Sequence, residues 1–394
     1  MAKLIDITGK ALSGEWGNDD EAGTGIHVLR TTNFTNDGII NYENVVTRQI
    51  PKKDLSKKYL CAGDIIIEKS GGSDNQPVGR VVYFDGENNK YLFNNFTGVL
   101  RVIDTEKWLP RYVFYALYAN YMKGGTRPFE NKTTGLHNLK TDSYVSSTEI
   151  AELPFKEQTA IVNMLDKLTT LISLRKQQLS KLDELVKSRF IEMFGEPESN
   201  PMHWEMLPLE NCLTVLGGYA FKSEEFKTSG VPVLRIGNIN TGVFTPTNMV
   251  YWTKDASLER YQVLPGDLVI SLTGTVGKDD YGNVCILGNA YTMYYLNQRN
   301  AKLILGESLN KHYLSELLKF SQIKKKLTGI SRGVRQANIS NRDILNLVVP
   351  IPPIELQTQF SAFVEQTDKS KFEIQKSLEK LETLKKALMQ KYFG

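Results

Sequence analysis

The sequence predicts an α+β protein in which two tandem, pseudo-repeated mixed α/β domains alternate with two long helices. Three observations lead there: an internal repeat near half the length of the 394-residue chain, short β-rich runs placed alike in both copies, and a three-four spacing of apolar residues closing each copy.

The repeat is clearest in the closing segments. FKEQTAIVNMLDKL at 155–168 matches IELQTQFSAFVEQT at 354–367, with Gln158-Thr159 falling on Gln357-Thr358. The same offset of 199 carries Leu182 onto Leu381, Leu185 onto Leu384 and Met193-Phe194-Gly195 onto Tyr392-Phe393-Gly394. Upstream, VLRTTN at 28–33 lies on VLRIGN at 233–238, and LCAGDIII at 60–67 on LPGDLVI at 264–270. The offset changes where loops are expected, so a duplicated unit has kept its scaffold while its connections diverged. This divides the chain into a domain at 1–150, a long helix with linker at 151–200, a domain at 201–348 and a long helix at 349–394.

Within the first domain GIHVLRTTNF, GDIIIEKS, GRVVYFD and TGVLRVID read as strands bounded by Gly, Asn and Asp turns. VPVLRIGNI, GDLVISL, NVCIL and the run around 293–305 repeat them. An amphipathic helix follows in each copy, near 108–122 with Pro110 in its first turn and near 308–327. The closing helices carry a coiled-coil seam: Ile161, Leu165, Leu168, Ile172, Leu179, Leu182, Val186 and Met193, interrupted by Arg175 and Arg189. The second copy gives Phe360, Val364, Ile374, Leu378, Leu381, Leu388 and Tyr392 in the same register, with Thr367, Lys371 and Lys385 as polar interruptions. Such helices either pack separately on their own domains or pair with each other, and spacing alone chooses neither this nor a direction of pairing. A 38-residue helix would span about 57 Å.

Composition narrows the function. No apolar run approaches the roughly 18 residues of a membrane span, and MAKLIDITGK lacks the pattern of a signal peptide, so a cytoplasmic protein is expected. Cys61, Cys212 and Cys285 are odd in number and far apart, and His27, His137, His203 and His312 show no metal-ligand spacing with them, which argues against disulfide and zinc frameworks. LTGTVGKDD at 272–280 superficially resembles a phosphate loop, but Lys278 precedes Asp279 rather than Ser or Thr, and a Gly-rich turn is the better reading. No catalytic motif emerges, so binding rather than catalysis is expected.

The net charge of +4 is unevenly placed: residues 201–348 hold 16 basic and 12 acidic residues, whereas residues 1–150 hold 18 of each. Lys324, Lys325, Lys326, Arg332 and Arg335 share a window with no acidic residue between Glu316 and Asp343. Its counterpart, 121–140, holds Lys123, Arg127, Lys132 and Lys140 against Glu130. Basic loops rich in Gly, Thr, Ser and Asn suit phosphate contacts and base-edge readout, although the lysines equally suit a helix C-terminus.

Two diverged domains, each followed by a helical segment that opens with a Pro-containing run and Gln (ELPFKEQ, VPIPPIELQ) and ends in Phe-Gly, resemble the specificity (S) subunit of type I restriction-modification systems over essentially the whole chain. GEPESNPMHWE at 195–205 resembles that family's linker; Phe155 in place of a Pro-Pro-Ile run departs from the pattern. The resemblance implies two target recognition domains, each reading half of an asymmetric, bipartite double-stranded DNA site. It also implies that the helices form an antiparallel spacer. Two methyltransferase (M) subunits would dock there with S-adenosylmethionine, and restriction (R) subunits with ATP and Mg would join in those systems that have them. The chain itself would bind no cofactor or metal and carry no catalytic residue.

On this reading the candidate DNA contacts are Lys69, Ser70, Lys123, Thr126, Arg127, His137 and Asn138 in the first domain, and Thr273, Lys278, Arg332, Arg335, Gln336 and Asn338 in the second. Arg30 with Asn33 and Arg235 with Asn238 recur in both copies, which argues for a shared structural or phosphate role. A DNA methyltransferase or nuclease with an unrecognised motif and a coiled-coil protein-binding scaffold are the alternatives.

Overall fold

The structure, a computed structural model, describes residues 1–51, 54–133, 136–329 and 336–394; the side chains at 132, 133 and 336 lie outside that description. Two compact units emerge. One comprises Met1–Lys176 with Lys376–Gly394, the other Gln177–Gln375.

The β-rich runs fold alike in both. In the first unit Leu12–Ser13, Thr97–Leu100, Ile65–Glu68 and Val81–Tyr83 lie side by side in that order as an antiparallel sheet. In the second, Leu213–Gly217, Asn300–Leu305, Leu268–Ser271 and Val284–Ile286 do the same. The central strands IIIE and LVIS are buried on both faces, which is why they lack polar alternation. A second sheet in each unit contains one parallel pair, Ile26–Leu29 with Tyr91–Phe93 and Val231–Leu234 with Tyr294–Leu296.

The first amphipathic helix runs Pro110–Met122. The second, expected as one helix near 308–327, is instead two, Lys311–Lys319 and Ser321–Thr328. Phe320 between them takes an extended backbone (φ −63°, ψ 129°), which carries its ring into the core 5.0 Å from that of Phe190. The closing helices are Phe155–Phe194 and Ile354–Phe393, 40 residues each. Among the described residues no helix is long and apolar enough to cross a membrane.

These two helices pack together, and each unit shows the direction. In the first, Lys176 near the middle of one helix meets Glu382 toward the end of the other (3.7 Å). In the second, Asp183 meets Lys371 (2.7 Å), and Phe190 and Phe194 stand 5.5 and 5.4 Å from Phe360 near the opposite helix's start. Residue numbers fall on one helix as they rise on the other, so the pairing is antiparallel. Of the seam, Ile161, Leu165, Leu168, Ile172, Val186, Phe360, Val364 and Leu378 are buried, while Leu179, Leu182, Ile374, Leu381 and Leu388 are half-buried. Phe190, outside that spacing, is wholly buried and stacks on Tyr313 as well.

The recurring Gln-Thr has a structural cause. Gln158 is fully buried; its Oε1 accepts from Leu109 N–H (2.9 Å), and its Nε2 donates to Lys107 O and Leu153 O (2.9 Å each). Gln357 does the same with Asn310 N–H (2.8 Å), Ser308 O (2.9 Å) and Pro352 O (2.7 Å). Each glutamine thus ties the first turn of a long helix to the start of an amphipathic helix. A tyrosine completes the joint: Tyr112 donates to Ala151 O (3.0 Å) and Tyr313 to Pro350 O (2.8 Å). Burial pushes the Tyr112 phenol up to about 12 and raises that of Tyr313 as well.

Cys285 sits in the second unit's core, and burial raises its thiol to about 12. It should therefore resist alkylation in the native protein at neutral pH and react on unfolding, because the thiolate is the nucleophile. Peptide mapping after iodoacetamide labelling with and without urea checks this; equal labelling would contradict it.

Candidate nucleic-acid interface

In each unit the chain leaves the central sheet strand and immediately enters a further small sheet. Ser70–Gly72 pairs with Leu136–Leu139, placing Ser70 opposite Asn138, with an irregularity between His137 and Asn138. Thr273–Thr275 pairs with Gln336–Asn338, placing Thr273 opposite Asn338. The adjoining hydrogen bonds match: Leu139 N–H donates to Lys69 O and Ile339 N–H to Leu272 O, both at 2.8 Å. The nominated pairs Ser70–Asn138 and Thr273–Asn338 therefore occupy equivalent places.

In the first unit a cavity of about 440 Å³ brings Lys69, Ser70 and Asn138 together with Asn95, Phe96 and Asp142. Desolvation lowers the Lys69 ammonium pKa, and the nearby Asp142 carboxylate partly offsets this. Gly71 is called for here by its φ of +137°, a backbone conformation that residues with a Cβ rarely adopt.

The other first-unit nominees lie elsewhere. Lys123 donates to the main-chain carbonyl of Phe393, and Arg127 to that of Asp74 (3.4 Å). Thr126 is wholly buried against Gly79, and its hydroxyl faces the interior. His137 is also buried, its Nδ1 3.1 Å from Glu130 Oε2 and its Nε2 3.6 Å from Asp74 Oδ1. Glu130 lies on the adjoining strand of the same small sheet and Asp74 in the loop after Ser70–Gly72, so His137 braces that sheet from within.

In the second unit Thr273 Oγ1 is buried and has no hydrogen-bond partner among the described residues, beside a cavity of about 360 Å³ that also meets Thr275, Asp280 and Arg299. Asp280 accepts from Thr275 N–H (2.8 Å) and Oγ1 (3.0 Å), closing the LTGTVGKDD turn with Gly277 at φ +80° and Lys278 exposed. This is the Gly-rich turn that the motif suggests. Asn338 is exposed, and Gln336 is described through its main chain only. Arg332 and Arg335 lie outside the described residues. Lys324 is mostly buried and paired with Asp279 and Asn283, whereas Lys325 and Lys326 are exposed in the last turn of their helix.

The recurring Arg-Asn pairs divide their roles. Asn33 Oδ1 accepts from Arg30 N–H (2.9 Å) and its Nδ2 donates to Asn41 O (3.1 Å); Asn238 Oδ1 accepts from Arg235 N–H (3.0 Å) and its Nδ2 donates to Thr245 O and Thr247 O (3.0 Å each). Both asparagines are buried and hold a loop closed, which is the shared structural role. Arg235 donates to Asn248 O (2.6 Å) and lines a second polar cavity of about 610 Å³ with Arg299. Phe96 and Arg299, absent from the nominated residues, flank the two equivalent strand pairs. Aligning LFNNFTGVL at 92–100 with YLNQRNAKL at 295–303 would have brought them out.

Comparison with known proteins agrees with this duplicated architecture. A family model described as the type I restriction modification DNA specificity domain matches residues 2–184 and again 201–386. The type I restriction enzyme MjaVIII specificity subunit of Methanocaldococcus jannaschii is 27% identical over 297 residues, covering 71% of this chain and 68% of that protein. The EcoKI specificity subunit of Escherichia coli K12 is 24% identical over 206 residues, covering 48% and 42% respectively. The crystal structure of the type I restriction-modification S subunit from M. genitalium shares the fold, with a TM-score of 0.58 at 15% identity, across all of this chain and 95% of that one.

Proposed function

The chain belongs to the type I restriction modification DNA specificity domain family, and from that premise we propose that it is the sequence-reading subunit of a multisubunit DNA methyltransferase. Each domain reads one half of a bipartite double-stranded site. The two readers differ in sequence, so the half-sites differ and the target is asymmetric. The antiparallel helices act as the spacer that fixes the separation of the half-sites. They also give two M subunits a surface to dock on, with R subunits joining where a system has them. Methyl transfer from S-adenosylmethionine and ATP-driven steps with Mg belong to those partners, and this chain supplies no catalytic group. The assembly works in the cytoplasm, where chromosomal DNA is.

One observation carries the reading: both units build the same small strand pair, Ser70–Asn138 in one and Thr273–Asn338 in the other, and beside it one unit exposes Phe96 where the other exposes Arg299. Equal scaffolds with unlike exposed side chains suit two related readers of different base sequences. Co-expression with the methyltransferase subunits, followed by genome-wide methylation mapping, should reveal a bipartite motif of two unequal halves that disappears when this chain is omitted. Methylation that is independent of the chain, or an undivided motif, would overturn the proposal.

A further inference from the structure

One turn in each unit is held by the same main-chain contacts yet presents opposite chemistry. Asn94 N–H donates to Leu29 O (3.0 Å) and Asn297 N–H to Leu234 O (3.3 Å). Thr97 N–H and Asn300 N–H close their turns onto Asn94 O (3.1 Å) and Asn297 O (2.9 Å). Phe96 O accepts from Lys69 N–H and Arg299 O from Leu272 N–H, both at 2.8 Å. Even the crossing strands agree, since a Cβ on Gly14 would lie 2.1 Å from Asn94 O and one on Gly218 2.2 Å from Asn297 O. The backbones of 94–97 and 297–300 are therefore the same device.

The first residue of each turn is a buried asparagine and the second an exposed amide, Asn95 or Gln298. The third is where the copies part: Phe96, 51% exposed, against the exposed Arg299. Phe96 leaves about half its surface in water, which does nothing for the fold's own stability. Among the described residues no carboxylate pairs with the Arg299 guanidinium; Asp280, on the same cavity, is engaged by Thr275. Arg299 also shares the neighbouring cavity with a second guanidinium, Arg235.

We infer that Phe96 and Arg299 are equivalent specificity-determining side chains, Arg299 selecting guanine through its O6 and N7 and Phe96 selecting thymine through its C5-methyl group. This rests on the proposed DNA-reading function and adds which side chain makes the half-sites differ. An arginine fork matches the two major-groove acceptors of guanine, and an aromatic ring suits the thymine methyl, the one apolar group on a base-pair edge.

The test uses the complete chain co-produced with its methyltransferase subunits, and methylation mapping of wild type, Arg299→Ala, Arg299→Lys, Phe96→Ala and Phe96→Arg. Arg299→Ala should relax one guanine in one half-site, lowering discrimination there by roughly tenfold to a hundredfold. Arg299→Lys, which keeps the charge without the fork, should relax the same position even if the alanine variant folds poorly. Phe96→Ala should relax one thymine in the other half, and Phe96→Arg should shift that position toward guanine. An unchanged motif in all four variants would overturn the inference while leaving the reading of the protein intact. So would an even weakening at every position, the mark of a phosphate contact. A wild-type complex whose methylation ignores sequence would sink the underlying reading.

Discussion

Replacing Gln357 by leucine should destabilise the second unit by about 3 to 5 kcal/mol, and Gln158→Leu should do the same to the first. Each glutamine is fully buried and serves three main-chain groups: Asn310 N–H, Ser308 O and Pro352 O for Gln357, and Leu109 N–H, Lys107 O and Leu153 O for Gln158. Leucine retains most of the volume, so cavity formation contributes little. What is lost is the pairing of one donor and two acceptors, at about 1 to 3 kcal/mol for each group left unsatisfied, reduced where water enters. Glutamate should be no better than leucine, because it keeps the acceptor but turns a carboxylate toward two carbonyl oxygens. Because the glutamines lie in different units, the damage should be separable. Amide hydrogen exchange should show protection lost around 107–115 in one variant and around 308–318 in the other. Equal loss across both regions, or a change below about 1 kcal/mol in urea unfolding, would contradict the role assigned to these residues.

The same glutamines show how far the sequence could be read. Gln158-Thr159 and Gln357-Thr358 are the firmest marks of duplication, and the structure gives the reason: both glutamines make the same three main-chain bonds. The central strands at 65–68 and 268–271 were equally legible, being continuous apolar runs bounded by Gly-Asp turns. Arg30-Asn33 and Arg235-Asn238 were visible as recurrences, but only the geometry shows that the asparagines close loops. The candidate interface was half legible. Ser70 and Asn138 were each picked out as polar loop residues, yet their pairing joins distant segments, and no local pattern encodes such a contact. Thr126 and His137 were chosen on residue type, and burial, which depends on the packed neighbours, turned them inward. Phe96 carries no such local mark, because an aromatic residue in a strand-rich stretch reads as core until its exposure is known.

Arg80→Ala should cost the first unit about 3 to 5 kcal/mol near neutral pH, and the loss should shrink in acid. The Arg80 guanidinium donates to Phe34 O and Thr31 O (3.0 Å each) and to Glu68 Oε1 (3.3 Å), so alanine strips a buried carboxylate and two carbonyls of their partner. Breaking one side of a buried ion pair typically costs that much, because the remaining charge is uncompensated. Even with the arginine present, desolvation outweighs its attraction and holds the Glu68 carboxyl above its ordinary value. Without it the carboxyl should rise further, since the opposing contribution is gone. A carboxyl raised on folding binds more protons in the folded state than in the unfolded one across the interval between its two values. Stability therefore falls as pH rises from the unfolded value of about 4.3 through the folded one, then levels off. The difference between wild type and Arg80→Ala should accordingly be smaller at pH 5 than at pH 8 in urea unfolding. Adding Glu68→Gln to Arg80→Ala removes the titrating group, and should recover part of the stability at pH 8 while abolishing the extra pH dependence. A difference that is the same at both pH values, and unmoved by the second substitution, would show that the lost carbonyl contacts and not the buried charge set the cost.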